Sequence, residues 1–170
     1  MDEHIYPNEE AYAHQLKNAE NRFAPLPLMD ELKLKAKEAG LWNLFVPEEH
    51  AKYCDHGGLS FFDYAPLAEI MGRVIWCPEV FNCNAPDTGN MEVFMNYGTE
   101  AQQREWLDPL LAGNIRSSYA MTEPQVASSD ATNVELRIEK EGNEWVLNGH
   151  KWFITNAMYE RTRILIVMGS

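Results

Sequence analysis

The stretch RSSYAMTEPQVASSDATN (116–133), followed by NGHKWFITN (148–156), decides how this chain is read. Before Arg116 the apolar residues recur with helical spacing. After it they come in short runs separated by small and polar residues. RSSYAM (116–121), VELRIEK (134–140), EWVLN (144–148), HKWFITN (150–156) and RILIVM (163–168) read as strands, with ASSDATN, EGN and NG between them. Asn148-Gly149 is expected to make a tight hairpin turn, because both residue types tolerate positive φ. The expectation is an α+β chain: an all-α helical bundle over residues 1–115, then an incomplete antiparallel β domain over residues 116–170. Five strands in so short a segment cannot readily cover both faces of a sheet, so the β part is read as truncated.

Working back toward the N-terminus, Tyr12, Leu16, Ala19 and Phe23 predict one apolar helix face, ended by Pro25 and Pro27. Met29, Leu32, Ala36 and Ala39 predict a second, with Gly40 as its C-terminal cap. A turn-rich loop with Gly57-Gly58 follows. Asp63 is expected to cap a third helix, with Pro66 in its first turn and Leu67, Met71 and Ile75 on its core face beside Tyr64 and Ala68. A fourth helix is expected over Asp87 to Tyr97. Thr99 and Gln102 form a capping box that opens EAQQREWLDPLLAG (100–113). These lengths suit a bundle.

Composition excludes several classes of function. The formal charge is −12, and residues 1–115 carry 19 acidic against 8 basic side chains. Residues 116–170 carry 7 against 6, so an anionic cofactor is least repelled there. A basic patch for nucleic acid is missing. The three cysteines, Cys54, Cys77 and Cys83, have no paired spacing, which fits a reducing interior. MDEHIYPNEE has neither an Arg-rich transit pattern nor an apolar signal core, and Ile164 to Met168 is too short an apolar run to span a bilayer. A soluble intracellular chain is expected: cytoplasmic if bacterial, mitochondrial or peroxisomal if eukaryotic.

Chemistry centres on the two quoted segments. A flavin ring needs a flat apolar wall and several hydrogen-bond partners along one edge, and its pyrophosphate needs N–H and hydroxyl donors. Thr122 stands at one strand end, Ser128 and Ser129 in the next turn, and Phe153-Ile154-Thr155 supply an aromatic wall and a second polar strand end. Either segment alone is equally what a capped turn or an ordinary amphipathic strand shows.

Together, however, YAMTEPQVASSD (119–130) and NGHKWFITN (148–156) resemble the paired motifs of the acyl-CoA dehydrogenases. AGLWNLFVPEE (39–49), GGLSFFDYAPLAEIMGR (57–73) and the run from Ala85 to Gly113 are similar to the helical part of that family, in the long-chain branch sometimes fused to a kinase-like domain. The resemblance covers nearly the whole chain. It implies FAD as cofactor, held by Tyr119, Ala120, Met121, Thr122, Ser128, Ser129, Phe153, Ile154 and Thr155, with Ser129 also reaching the acyl-CoA substrate. Ser128 stands where the family usually has Gly, and Phe153 where it has the flavin-covering Trp, with Trp152 expected on the opposite strand face.

The implied reaction is α,β-dehydrogenation of an acyl-CoA to a trans-2-enoyl-CoA, part of fatty acid β-oxidation. Electrons pass to an electron-transfer flavoprotein, and the full-length family forms homo-oligomers. The implied catalytic base is a glutamate beyond these residues, so no catalytic residue is assigned and the chain alone is expected to be inactive. Acyl-CoA oxidase or flavin monooxygenase chemistry on the same fold, and a non-catalytic chain, are the alternatives.

Other candidates carry less. His50, Cys54 and His56, with Asp55 adjacent, have roughly metal-like spacing but no second ligand pair, so no metal site is assigned. His150 reads as a surface residue. Glu123 and Asp130 are expected to stabilise turns. Asn84, Asp87 and Asn90 either border an acyl tunnel or cap a helix, and capping is the default.

Overall fold

The computed structural model describes residues 1–170. Seven helices precede four strands: α1 (Glu9–Asn18), α2 (Pro27–Glu38), α3 (Phe61–Met71), α4 (Cys77–Val80), α5 (Asp87–Tyr97), α6 (Glu100–Gln102), α7 (Asp108–Leu111), then β1 (Arg116–Ala120), β2 (Arg137–Glu141), β3 (Glu144–Asn148) and β4 (Thr162–Val167). A helical N-terminal part followed by small sheets is what the sequence leads one to expect.

The helices share one apolar core. Met29, Leu32 and Ala36 of α2, Met91 and Phe94 of α5, and Leu107 and Leu110 near α7 meet around Val46 and Ile5. Met29, Leu32 and Ala36 recur at helical spacing, which turns them inward together, and Gly40 accepts φ +70 just past the helix end. Ala39 is exposed rather than part of the stripe. α1 is shorter than expected. It stops at Asn18 because Ala19 is already extended, so Phe23 lies outside it and Leu16 is exposed. Tyr12 docks by stacking on Trp76, with ring centroids 4.6 Å apart, and Gln15 by accepting the Leu28 N–H at 3.1 Å.

α3 begins at Ser60 and not at Asp63. The Ser60 hydroxyl accepts the Asp63 N–H at 3.1 Å and donates to the Asp63 carboxylate at 2.6 Å, which places Pro66 inside the helix. Met71 is buried as expected, but Ile75 lies beyond the helix and is exposed. The Thr99–Gln102 capping box forms. The helix it opens passes through a π-turn at Gln103–Leu107, just before Pro109, whose missing N–H cannot continue the ladder to Glu105.

In the β part the pairing departs from an antiparallel sheet. β2 and β3 are antiparallel, but β1 and β4 run parallel, with Ser118 opposite Leu165 and Tyr119 opposite Ile166. The expected strand HKWFITN is a loop. Phe153 at φ +49 and Asn156 at φ +67 adopt left-handed backbone, which no strand accommodates, and the chain turns there to bring RILIVM alongside β1 in the same direction. Trp152 therefore does not occupy the opposite face of a strand; its ring tilts against Phe153 at 4.8 Å. The hairpin turn is Gly142-Asn143, with Gly142 at φ +62. Gly149, expected in that role, instead lies against Leu136, where an added Cβ would come within 2.7 Å of the leucine side chain.

Candidate functional site

β1 is anchored from below by a buried polar network. The Asp87 carboxylate pairs with the Arg116 guanidinium, and it accepts the Ser117 N–H at 2.6 Å and the Ser117 hydroxyl at 2.5 Å. Arg116 also meets Glu79 at 2.6 Å, and Glu79 meets Lys33 at 2.7 Å. Burial alone would raise the Glu79 pKa, but Arg116 and Lys33 outweigh it and hold the carboxyl below its ordinary range. Asn90 donates to the Ser117 hydroxyl at 2.9 Å and the Ser118 carbonyl at 3.0 Å. Asp87 and Asn90 thus tie α5 to β1, correcting the expectation that they cap a helix; the residue at the α5 cap is Pro86. Arg116 and its partners carry no local sequence motif, which is why residue patterns alone pass over them.

Above this base the two motif segments lie side by side. The Trp152 N–H donates to the Thr122 carbonyl at 3.1 Å. Lys151 Nζ donates to the Met121 carbonyl at 2.9 Å and to Glu123 Oε1 at 2.7 Å. The Glu123 carboxylate also accepts the Glu135 N–H at 2.8 Å and the Leu136 N–H at 2.9 Å. The Lys151 bond and these two N–H donors pull its pKa down to about 2. Glu123 is therefore an ionised, fully engaged acceptor and not a proton-abstracting base. Asp130 likewise serves its own turn, accepting the Thr132 N–H at 3.0 Å.

The candidate residues divide by exposure. Thr122, Ser129, Phe153 and Thr155 are exposed, Tyr119 is at the margin, and Met121 and Ile154 are half-buried. Neither Thr122 nor Thr155 donates a hydrogen bond to a protein group through its N–H or hydroxyl, and both residues are exposed. That donor set, with the exposed Phe153 ring, fits the edge and face of a flavin. Ser128 and Ala120 face inward. The Ser128 hydroxyl accepts the Glu123 N–H at 2.8 Å, so the side chain standing in place of a glycine closes the turn from within. Ala120 is 3% exposed, and its carbonyl accepts the Met168 N–H at 3.0 Å.

Beside this surface an open cavity of about 360 Å³ runs between α5 and β1, lined by Thr88, Asn90, Val93 and Tyr119 among others. Of His50, Cys54 and His56, the last two meet, Sγ to Nδ1 at 3.8 Å, but His50 is turned away from them. His50 pairs with Asn96 at 3.1 Å, while His56 bonds the Asn43 carbonyl at 3.1 Å. No helix is long and apolar enough to cross a membrane.

Comparison with known proteins bears on the whole chain. Residues 1–114 match the family model for the acyl-CoA dehydrogenase N-terminal domain, and residues 118–170 match that for the middle domain. The chain is 49% identical to acyl-CoA dehydrogenase family member 11 of Gallus gallus and 48% identical to family member 10 of Mus musculus, over 99% of its own length in both cases. It spans only 21% and 16% of those relatives. A solved acyl-CoA dehydrogenase homologue from Mycobacterium abscessus superposes with a TM-score of 0.89 at 47% identity, over 99% of this chain and 42% of that one. An acyl-CoA dehydrogenase from Bacillus anthracis, solved in complex with FAD, gives 0.56 at 28% identity, over 96% of this chain and 26% of that one. On both matched segments and on the superposed fold, the chain belongs to the acyl-CoA dehydrogenase family.

Proposed function

We propose that this chain supplies the N-terminal part and two flavin-contacting loops of a FAD-dependent acyl-CoA dehydrogenase, which converts an acyl-CoA thioester to a trans-2-enoyl-CoA. The observation that carries the reading is the Trp152 N–H to Thr122 carbonyl bond, at 3.1 Å, which puts both motif loops on one surface. Thr122 and Thr155 would hold the ring edge, and Phe153 would cover one face. Ser129 would donate to the pyrophosphate or to the substrate. The cavity beside Tyr119, Thr88 and Val93 is the space offered to the acyl chain. When bound, FAD supplies the two-electron acceptor for hydride leaving the substrate.

Neither carboxylate of these two loops is a free base: Glu123 accepts from three donors, and Asp130 accepts the Thr132 N–H and hydroxyl. Proton abstraction is therefore assigned to a group outside these loops, and the chain is expected to take up flavin. Electron-transfer flavoprotein is the expected acceptor, within a homo-oligomer. The purified chain is titrated with FAD and then mixed with acyl-CoA. Flavin uptake that is weakened by Thr122→Ala supports the reading, and absence of uptake by the wild-type chain overturns it.

A further inference from the structure

The two loops are joined by an ion pair whose side-chain hydrogen bonds go to neither the exposed threonines nor Phe153. Lys151 and Glu123 have side chains only 9% and 3% exposed, and their atoms meet at 2.7 Å. Around them converge four separate pieces of chain: the Met121 carbonyl, the Ser128 hydroxyl through the Glu123 N–H, the Glu135 and Leu136 N–H groups, and Lys151 itself. Thr122 lies between Met121 and Glu123, both held by Lys151, and Phe153 is two residues from Lys151. A shift of this ammonium would therefore move both walls.

We propose that the Lys151–Glu123 pair is the positioning device of the site, a buried clamp that sets the separation of the Thr122 loop from the Phe153–Thr155 loop. The proposal rests on the flavin reading above for its purpose, but not for its mechanics. A buried ion pair is weak evidence for stability, because well-packed apolar residues often serve as well. What distinguishes this one is geometry. The lysine supplies two directed bonds, to Met121 and Glu123, that no apolar side chain can replace. The carboxylate spends its remaining capacity on the N–H groups that lead into β2. Lys151 and Glu123 are positioning residues, and their hydrogen bonds go to protein groups.

The full chain is compared as wild type, Lys151→Met, Lys151→Arg and the surface control Lys140→Met. Hydrogen exchange is read first, without flavin, and FAD is then titrated with visible circular dichroism as the readout. The clamp predicts that Lys151→Met loses protection at the Trp152, Glu135 and Leu136 amides together, while Val46 and Met91 keep theirs. Flavin binding in Lys151→Met should weaken roughly tenfold or more, the scale seen when the groups that orient metal ligands are removed, with an altered dichroic band. Lys151→Arg should restore much of both, and Lys140→Met should change neither. Unchanged exchange in Lys151→Met, or FAD bound with wild-type affinity and spectrum, overturns the clamp. If Lys151→Met also loses protection at Val46 and Met91, the milder Lys151→Gln must show the local loss alone, or the clamp fails. If the wild-type chain binds no FAD, the proposed function falls, and the clamp is then judged on exchange alone.

Discussion

Asp87 accepts the backbone N–H of Ser117 at 2.6 Å, so the first turn of α5 holds the start of β1 directly. The same carboxylate neutralises Arg116, which is 5% exposed. Asp87→Ala leaves that guanidinium with Glu79 alone and strands the Ser117 N–H. Removing one member of a buried pair costs about 3–5 kcal/mol, a large share of the stability of a chain this size. The expected outcome is a much lower urea midpoint for Asp87→Ala with little change in slope, checked by equilibrium denaturation.

Acid should loosen the loops in a defined window. Glu123 has a folded pKa of about 2, against an ordinary 4.5. A depressed carboxylate pKa stabilises the folded state fully above the ordinary value, and that stabilisation is lost as pH falls through the folded one. Glu79, held down by Arg116 and Lys33, acts in the same direction. Glu123→Gln should therefore be less stable than wild type at neutral pH. The gap should close as pH falls from 4.5 toward about 2, measured as denaturation midpoints of the two proteins across that window.

Much of this architecture is legible from residue patterns, for reasons that particular positions make clear. The Met29–Leu32–Ala36 stripe and the Thr99–Gln102 box are local devices, decided within a turn or two of helix, and both form. The parallel pairing of β1 with β4 follows a loop in which Phe153 and Asn156 adopt left-handed backbone, which no alternation of apolar and polar residues reveals. Ser128 and Ser129 are both expected to contact the cofactor, yet Ser128 is buried with its hydroxyl on the Glu123 N–H while Ser129 is exposed. The Lys33–Glu79–Arg116–Asp87 network joins side chains far apart in sequence, so only the fold brings them together.

Gly57 and Gly58 offer a paired test of backbone constraint. Both have left-handed φ, +80 and +82, but their surroundings differ. An added Cβ at Gly57 meets nothing, whereas at Gly58 it would lie 2.6 Å from the Glu48 Cα and 2.7 Å from the Pro47 carbonyl oxygen. Gly57→Ala should cost only the left-handed penalty of about 1–2 kcal/mol. Gly58→Ala should cost about 1–3 kcal/mol more, because backbone atoms cannot swing aside as a flexible side chain would. Thermal unfolding of the two variants ranks them, and equal losses would contradict the close approach at the Pro47–Leu59 bridge.

Phe153 should separate stability from function. Its backbone sits at φ +49 while its ring is 84% exposed, so the fold gains little from the side chain and bears the cost of left-handed geometry. Strain of this kind at an exposed aromatic is explained if the ring serves a ligand. Phe153→Gly removes the left-handed penalty, about 1–2 kcal/mol, less the added flexibility of glycine, about 0.5–1 kcal/mol. The variant is therefore expected to be as stable as wild type or slightly more so. It should nevertheless bind FAD more weakly, because the apolar wall is gone, whereas Phe153→Trp, which keeps a wall, should retain binding. Denaturation midpoints and FAD titrations on the same preparations check the two signs. A Phe153→Gly chain that loses stability and keeps its flavin affinity would assign the ring to packing against Trp152 and not to the cofactor.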